Sequence, residues 1–391
     1  MLNTALSPWP SFTQEEADAV SRVLLSNKVN YWTGSECREF EKEFAAFAGT
    51  QYAVALSNGT LALDVALKAM GIGAGDDVIV TSRTFLASAS CIVTAGANPV
   101  FADVDLNSQN ISAETIKAAL TPNTKAIIVV HLAGMPAEMD GIMDLAKEHD
   151  LWVIEDCAQA HGAKYKGKSV GSIGHVGAWS FCQDKIMTTG GEGGMVTTND
   201  KELWSKMWSY KDHGKSYDAV YHREHAPGFR WLHESFGTNW RMMEMQAVIG
   251  RIQLKRMPEW TARRQAHAAK LAESLGKFAG IRLIEIADYI EHAQYKFYAF
   301  VKPEHLKEGW TRDRIISELN ARKVPCYQGS CSEVYLEKAF DNTPWRPKER
   351  LKNAIQLGDT SLMFLVHPTL TDDEIAFCKE HIEAVLAEAT A

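Results

Sequence analysis

Between residues 52 and 198 short apolar runs alternate with helical segments, and no other feature limits the fold as much. The runs at 52–56, 78–80, 99–104, 125–130, 151–155, 178–181 and 194–198 are short and almost uniformly apolar, the signature of strands buried on both faces. Helical patterns fill the intervals at 61–70, 88–95, 112–120 and 139–149. The third of these opens on Ser112 as a cap, with Glu114 in its first turn. Repetition of this kind builds a mostly parallel sheet with helices on both faces. Two helices precede it. Thr13-Gln-Glu-Glu16 is a capping box for one, and Phe40, Phe44 and Phe47 share a face of the next, at 37–48.

The pattern changes after residue 242. Helical periodicity runs over 242–275, and Pro258 is expected to break it. Strands are expected at 281–286, 295–301 and 324–327, and helices at 311–321 and 372–389. Thr371 and Glu374 form the capping box of the last helix. The expected fold class is therefore α/β. A large domain, residues 1–255, carries the mostly parallel sheet flanked by helices. A smaller C-terminal α+β domain occupies residues 256–391.

Composition then removes several function classes. Apolar residues make up 46% and charged residues 23%, a balance that excludes dominant disorder. The net charge of -8 argues against a nucleic-acid partner. The best candidate for a membrane span, 78–104, carries Arg83 and Asp103, so no membrane partner is expected. No basic start or apolar leader precedes Pro10. The seven cysteines are scattered with no CxxC pair, which points to reduced thiols in the cytoplasm. No HExxH or Cys/His spacing supports a metal, and no GxSxG supports a serine hydrolase.

The residues that carry chemistry fall at one edge of the expected sheet. Asp156 stands just past the end of the strand at 151–155. Lys185 follows the strand at 178–181 by a few residues and precedes the glycine-rich run Gly190-Gly-Glu-Gly-Gly194. The carboxyl edge of a parallel sheet is where ligands bind. A carboxylate there can hold a pyridinium nitrogen, and a lysine can form a Schiff base with an aldehyde. Together they describe a pyridoxal phosphate site. Ser57-Asn-Gly-Thr60, between a strand and an apolar helix, offers a cradle for the phosphate from the backbone of Gly59 and Thr60 and the Thr60 hydroxyl. Ser180 adds a second hydroxyl. Phe85, after the strand at 78–80, is placed to stack on a planar ring.

Longer motifs extend this reading. They are Trp32-Thr-Gly34, Glu39-Phe-Glu-Lys-Glu-Phe44, Ser57-Asn-Gly-Thr60, Gly96-Ala-Asn-Pro-Val-Phe-Ala-Asp-Val-Asp105, His131-Leu-Ala-Gly-Met-Pro-Ala-Glu-Met-Asp140, Glu155-Asp-Cys-Ala-Gln-Ala-His-Gly162 and Gly237-Thr-Asn-Trp-Arg241. With them the whole chain resembles the DegT/StrS-type sugar aminotransferases, a branch of the fold type I, aspartate aminotransferase-like pyridoxal phosphate enzymes. The resemblance implies that Lys185 holds the cofactor as a Schiff base and moves the substrate proton. It implies that Asp156 pairs with the pyridine nitrogen and that Gln159 lies near the ring hydroxyl. Gly59, Thr60 and Ser180 would bind the phosphate, helped by Asn239 of a partner chain, and Phe85 would take the stacking position. A homodimer with shared active sites follows. His161 and His213 fall in segments near the substrate, and a structural role is equally open for both.

A branch of the family replaces the Schiff-base lysine with histidine and dehydrates its substrate; Lys185 implies transamination. The expected substrate is a nucleotide-linked keto sugar, a 4-keto-6-deoxyhexose, with L-glutamate as donor. Products of this kind feed lipopolysaccharide O-antigen and other surface glycans. Two departures bear on the substrate. The loop Val324-Pro-Cys-Tyr-Gln-Gly-Ser-Cys-Ser-Glu333 lacks a His-containing Tyr-Pro segment common in relatives. Arg83, beside the stacking residue, stands either against a substrate phosphate or carboxylate, or on the surface. The rival readings are another fold type I enzyme acting on a small amino acid, and a regulatory relative without turnover.

Overall fold

The computed structural model describes residues 6–390. Seven strands form the large sheet: β1 (Tyr52–Leu56), β2 (Asp77–Thr81), β3 (Asn98–Ala102), β4 (Thr124–Val130), β5 (Trp152–Asp156), β8 (Val176–Ser180) and β9 (Gly194–Thr198). Two-residue strands β6 (Lys164–Tyr165) and β7 (Lys168–Ser169) lie between β5 and β8 in the chain. The order across the large sheet is β1-β9-β8-β5-β4-β2-β3. Neighbours from β3 to β8 are parallel, and β9 runs antiparallel to both β1 and β8. Every residue of β8 and β9 is buried, as helices on both faces require. The Gly59–Ala69 helix buries Ala62, Leu63, Val65, Ala66 and Leu67 over this sheet. The Glu36–Ala48 helix buries Phe40 and Phe44.

The second sheet is antiparallel. It contains β10 (Ile281–Leu283), β12 (Phe297–Val301), β13 (Cys326–Tyr327) and β14 (Ser361–Phe364), in the order β10-β12-β14-β13. Strand β11 (Ile290–Glu291) pairs instead with β6 and ties the two regions together. The Arg312–Ala321 helix covers the small sheet, and the Asp372–Ala389 helix, with the expected capping box, packs on that helix and on the Glu244–Leu275 helix. Strands at 281–286 and 324–327 prove shorter than the sequence suggested.

The expected break at Pro258 does not occur. The helix Glu244–Leu275 is continuous for 32 residues. Before the proline it buries Leu254 and Met257 in the main core, and after it Ala268, Leu271 and Leu275 in the second core. A mid-helix proline costs about 3 kcal/mol. Each of the larger apolar side chains contributes about 1.5–3 kcal/mol on burial, so packing on either side outweighs it. The expected boundary near residue 255 falls inside this helix, which serves both cores.

Candidate active site

Parallel strands deliver their carboxyl ends to one edge, and the chemistry collects there. β4 ends at Val130, β5 at Asp156 and β8 at Ser180. The start of the Gly59–Ala69 helix lies against the same edge. These elements enclose a cavity of about 610 Å³, whose wall includes Gly59, Thr60, Phe85, Asp156, Gln159, Ser180 and Lys185. All the residues expected to hold the cofactor within one chain therefore face one space.

The helix start is shaped for an anion. Asn58 caps it by accepting the Leu61 N–H at 3.0 Å. The N–H groups of Gly59 and Thr60, ahead of that bond, have no partner within the helix and carry the positive end of its dipole. Glycine is required at 59 by contact: a Cβ there would stand 2.5 Å from the Ser180 Cβ and 2.9 Å from its Oγ. Gly194 faces the Asn58 carbonyl in the same way. The cradle therefore exists because two glycines let the helix start close on β8 and β9. Gly59→Ala is expected to weaken pyridoxal phosphate binding by about tenfold or more, roughly 1.4 kcal/mol. Absorbance titration of the unloaded protein checks this; an affinity within about twofold of wild type would reject the close-contact argument.

Asp156 is the acid of the site. One oxygen accepts from the Ser88 hydroxyl at 2.8 Å and the other from the Ala158 N–H at 3.1 Å. Ser88 is bonded in turn to Thr84 at 2.8 Å. Burial pushes the Asp156 carboxyl above its usual value, against the pull of those hydrogen bonds and the Lys185 charge. A buried carboxylate in this condition gains most from a cationic N–H, which is what a protonated pyridine offers. The Gln159 side-chain oxygen is taken by the Ala133 N–H at 2.8 Å, so its NH2 is the group it offers a ligand. Phe85 is 71% exposed at the cavity wall, the condition of a ring awaiting a stacking partner.

Lys185 stands at the other side. Its Nζ lies 5.5 Å from the centre of the Tyr295 ring and 3.9 Å from Asp184 Oδ1. The Tyr295 hydroxyl donates to Asp184 at 2.5 Å. Burial works against the Asp184 charge, but Lys185 and Tyr295 outweigh it and hold that carboxyl below its usual range. Ser88, Asp184 and Tyr295 were not anticipated. Asp184 sits next to Lys185 in the chain and was legible. Tyr295 comes from the other side of the fold, where the sequence showed only a strand.

Four expected residues lie outside this cavity. His161, for which a structural role was equally open, is wholly buried among Phe44, Trp179 and Phe181, with ring centres 5.2–6.4 Å away, and does not line the cavity. After β5 the chain turns back and carries His161 into the aromatic core, off the cavity wall. Arg83 is a correction, neither on the surface nor in the cavity. It is fully buried, its Nε donating to Gln109 at 3.1 Å and its Nη2 to Ser361 at 3.2 Å. His213 is exposed in a left-handed turn with φ of 59°, its N–H bonded to the Thr238 carbonyl, and it does not line the cavity of its own chain. Asn239 is exposed beside it, in an antiparallel bridge to Asp212.

His131, Glu155 and Cys157 cluster in the interior, all buried. His131 Nδ1 accepts from the Ala137 N–H, so its Nε2 carries the proton donated to Glu155 at 2.9 Å. Glu155 also accepts from the N–H groups of Gly171, Ile173 and Gly174. With both imidazole nitrogens engaged, the cluster is a hydrogen-bonded brace between β5 and the 171–174 turn.

A buried acid, a lysine, a stacking ring and a helix-start cradle on a sheet of this topology define a fold type I pyridoxal phosphate-dependent enzyme. The chain belongs to the DegT/DnrJ/EryC1/StrS aminotransferase family, whose model matches residues 10–383. It is similar to an aminotransferase from Psychrobacter cryohalolentis solved by X-ray, with 66% identity, a TM-score of 0.96 and coverage of 98% of this chain and 99% of that one. It is 35% identical to the spore coat polysaccharide biosynthesis protein SpsC of Bacillus subtilis, over 96% of this chain and 95% of the relative. It is 41% identical to the GDP-perosamine synthase of Caulobacter vibrioides, over 72% and 73%.

Proposed function

We propose that this chain transfers an amino group from L-glutamate to a nucleotide-linked keto sugar, a 4-keto-6-deoxyhexose, on the way to a surface glycan such as O-antigen. The observation that carries the reading is the convergence of Lys185, Asp156, Gln159 and the Gly59–Thr60 cradle on one cavity. Pyridoxal phosphate, when bound, supplies an aldehyde for amines and a ring that stores the electrons freed at the donor carbon. Gly59, Thr60 and Ser180 hold its phosphate, and Phe85 covers one ring face. Asp156 holds a proton on the ring nitrogen. Lys185 anchors the cofactor, and its Nζ carries the proton between carbons. The sugar reading draws support from the similarity to a GDP-perosamine synthase and to a polysaccharide biosynthesis protein.

The working unit in this reading is a homodimer. Phe229, Trp231 and Phe236 are 77%, 82% and 100% exposed on the segment leading to Asn239. A partner subunit that covers these rings would receive Asn239 at its phosphate site. A cytoplasmic location fits the free cysteines. Among the described residues no helix is long and apolar enough to cross a membrane.

The test is an absorbance spectrum of the loaded protein before and after L-glutamate, followed by mass analysis after adding GDP-, dTDP- or UDP-linked 4-keto sugars. Bleaching of the visible band by glutamate and a sugar product carrying a new amine are expected. Turnover with an amino acid and a 2-oxo acid alone, and none with any keto sugar, would sink the proposal.

A further inference from the structure

The segment ahead of the first helix is pinned at both ends. On one side, the Ser7 N–H donates to Glu374 at 2.6 Å, and Thr369 donates to the Pro8 carbonyl at 2.7 Å. Both anchors of the segment, Thr369 and Glu374, follow β14 of the small sheet. On the other side, the Trp9 indole N–H donates to the backbone carbonyl of Lys185 at 2.9 Å. The Trp9 ring meets Trp260 edge-on at 5.1 Å and stacks on His367 at 6.0 Å.

Arg264 completes the arrangement. Its guanidinium lies over the Trp9 ring at 4.9 Å, and its Nη1 points to the Tyr295 carbonyl at 3.5 Å. The group is fully buried, with Nε and Nη2 lacking any protein partner. A buried cation with no carboxylate beside it depends on the π face and the carbonyl it touches. Those two contacts belong to the two residues that hold Lys185: Trp9 takes its carbonyl, and the Tyr295 ring lies beneath its ammonium. Arg264 thus bridges the clamps on the two ends of one lysine.

We infer that Trp9 is a positioning residue for Lys185, held in place by Arg264 and anchored through Pro8 to the small sheet. The inference rests on the reading of Lys185 as the residue that captures the cofactor. Its chemical content is orientation. With its backbone carbonyl held by Trp9, the lysine starts from a fixed point on the cavity wall, and the Tyr295 ring biases where its ammonium rests.

The test uses the unloaded full-length protein and added pyridoxal phosphate. Trp9→Phe keeps an aromatic ring over Arg264 and removes the N–H. Its rate of covalent capture, read as the growth of visible absorbance, is expected to fall about tenfold, less than the hundredfold that a full ångström of misplacement costs. Hydrogen exchange of the 183–190 backbone is expected to speed up before any cofactor is added. Thr369→Val frees Pro8 and also the His367 ring that Thr369 holds against Trp9, and is expected to slow capture severalfold. Borohydride reduction and peptide mapping identify the captured lysine. A label on Lys185 with wild-type capture and exchange in Trp9→Phe overturns the positioning role, even if the variant melts earlier. A wild-type rate in Thr369→Val overturns the anchor. A label on another lysine overturns the reading of Lys185 itself, and the inference with it.

Discussion

Replacing Lys185 with alanine is expected to abolish transamination and leave the fold standing. The side chain makes one ion pair, at 3.9 Å, and one contact with a ring centre at 5.5 Å. Contacts of this kind contribute about 1 kcal/mol or less, so the melting temperature should move by only a few degrees. The chemistry has no such margin. Proton transfer alone accounts for about 10²–10⁴-fold in rate, and the covalent anchor of the cofactor is lost as well. Lys185→Arg sharpens the result. It keeps a positive charge beside Asp184 and Tyr295, but a guanidinium does not give up its proton at neutral pH. Both variants should be inactive with L-glutamate and a keto sugar. Wild-type turnover in either would remove the lysine from the mechanism.

The second large effect is on stability in acid. His161, His292 and His367 are buried, and burial is the main reason each is pushed down to about 3. Arg264 adds to the shift at His161 and His367. In the unfolded chain they titrate near 6.5. As pH falls below about 6.5 the unfolded state takes up protons that the folded state refuses, so stability drops until about pH 3. Each histidine contributes about 1.4 kcal/mol per pH unit in that window. Three together cost about 5 kcal/mol between about pH 6.5 and 5, a large part of an ordinary folding stability. Urea unfolding at about pH 7 and pH 5 measures the difference. Equal midpoints at the two pH values would mean that these rings are not held neutral in the folded protein.

The contrast between those histidines and the cofactor residues shows what a sequence makes legible. Asp156, Lys185 and Gly59 could be placed because each stands at the end of an apolar strand or the start of an apolar helix. Parallel packing sends all such ends to one edge. His161 and Arg83 also sit only a few residues beyond strands of the same sheet, yet His161 ends among Phe44, Trp179 and Phe181 and Arg83 against Gln109 and Ser361. Position along the chain does not say on which side of a layer a turn comes down. β14 went unseen because Ser361-Leu-Met-Phe364 follows the Lys352–Thr360 helix without a glycine or proline between them. Trp9 had no periodic neighbours to mark it, and its partners lie 176 or more residues away in the chain. Pro258 misled for a related reason: local propensity is weak beside burial on both sides of it.

The helix Glu244–Leu275 also has a consequence for how the protein is made. The main core it joins draws residues from Tyr31 to Leu357. That core cannot close while the chain is being synthesised past its first strands, because Tyr298, Tyr335 and Leu357 must still emerge from the ribosome. At about 5–20 residues per second, the interval from the end of β5 lasts roughly 10–40 s. During it the β1–β5 segments have their interleaved helices but lack β8 and β9, so a strand edge stays open. An open strand edge is a template for pairing with another chain, so the stretch before residue 357 appears is the one in which newly made chains are most exposed to aggregation.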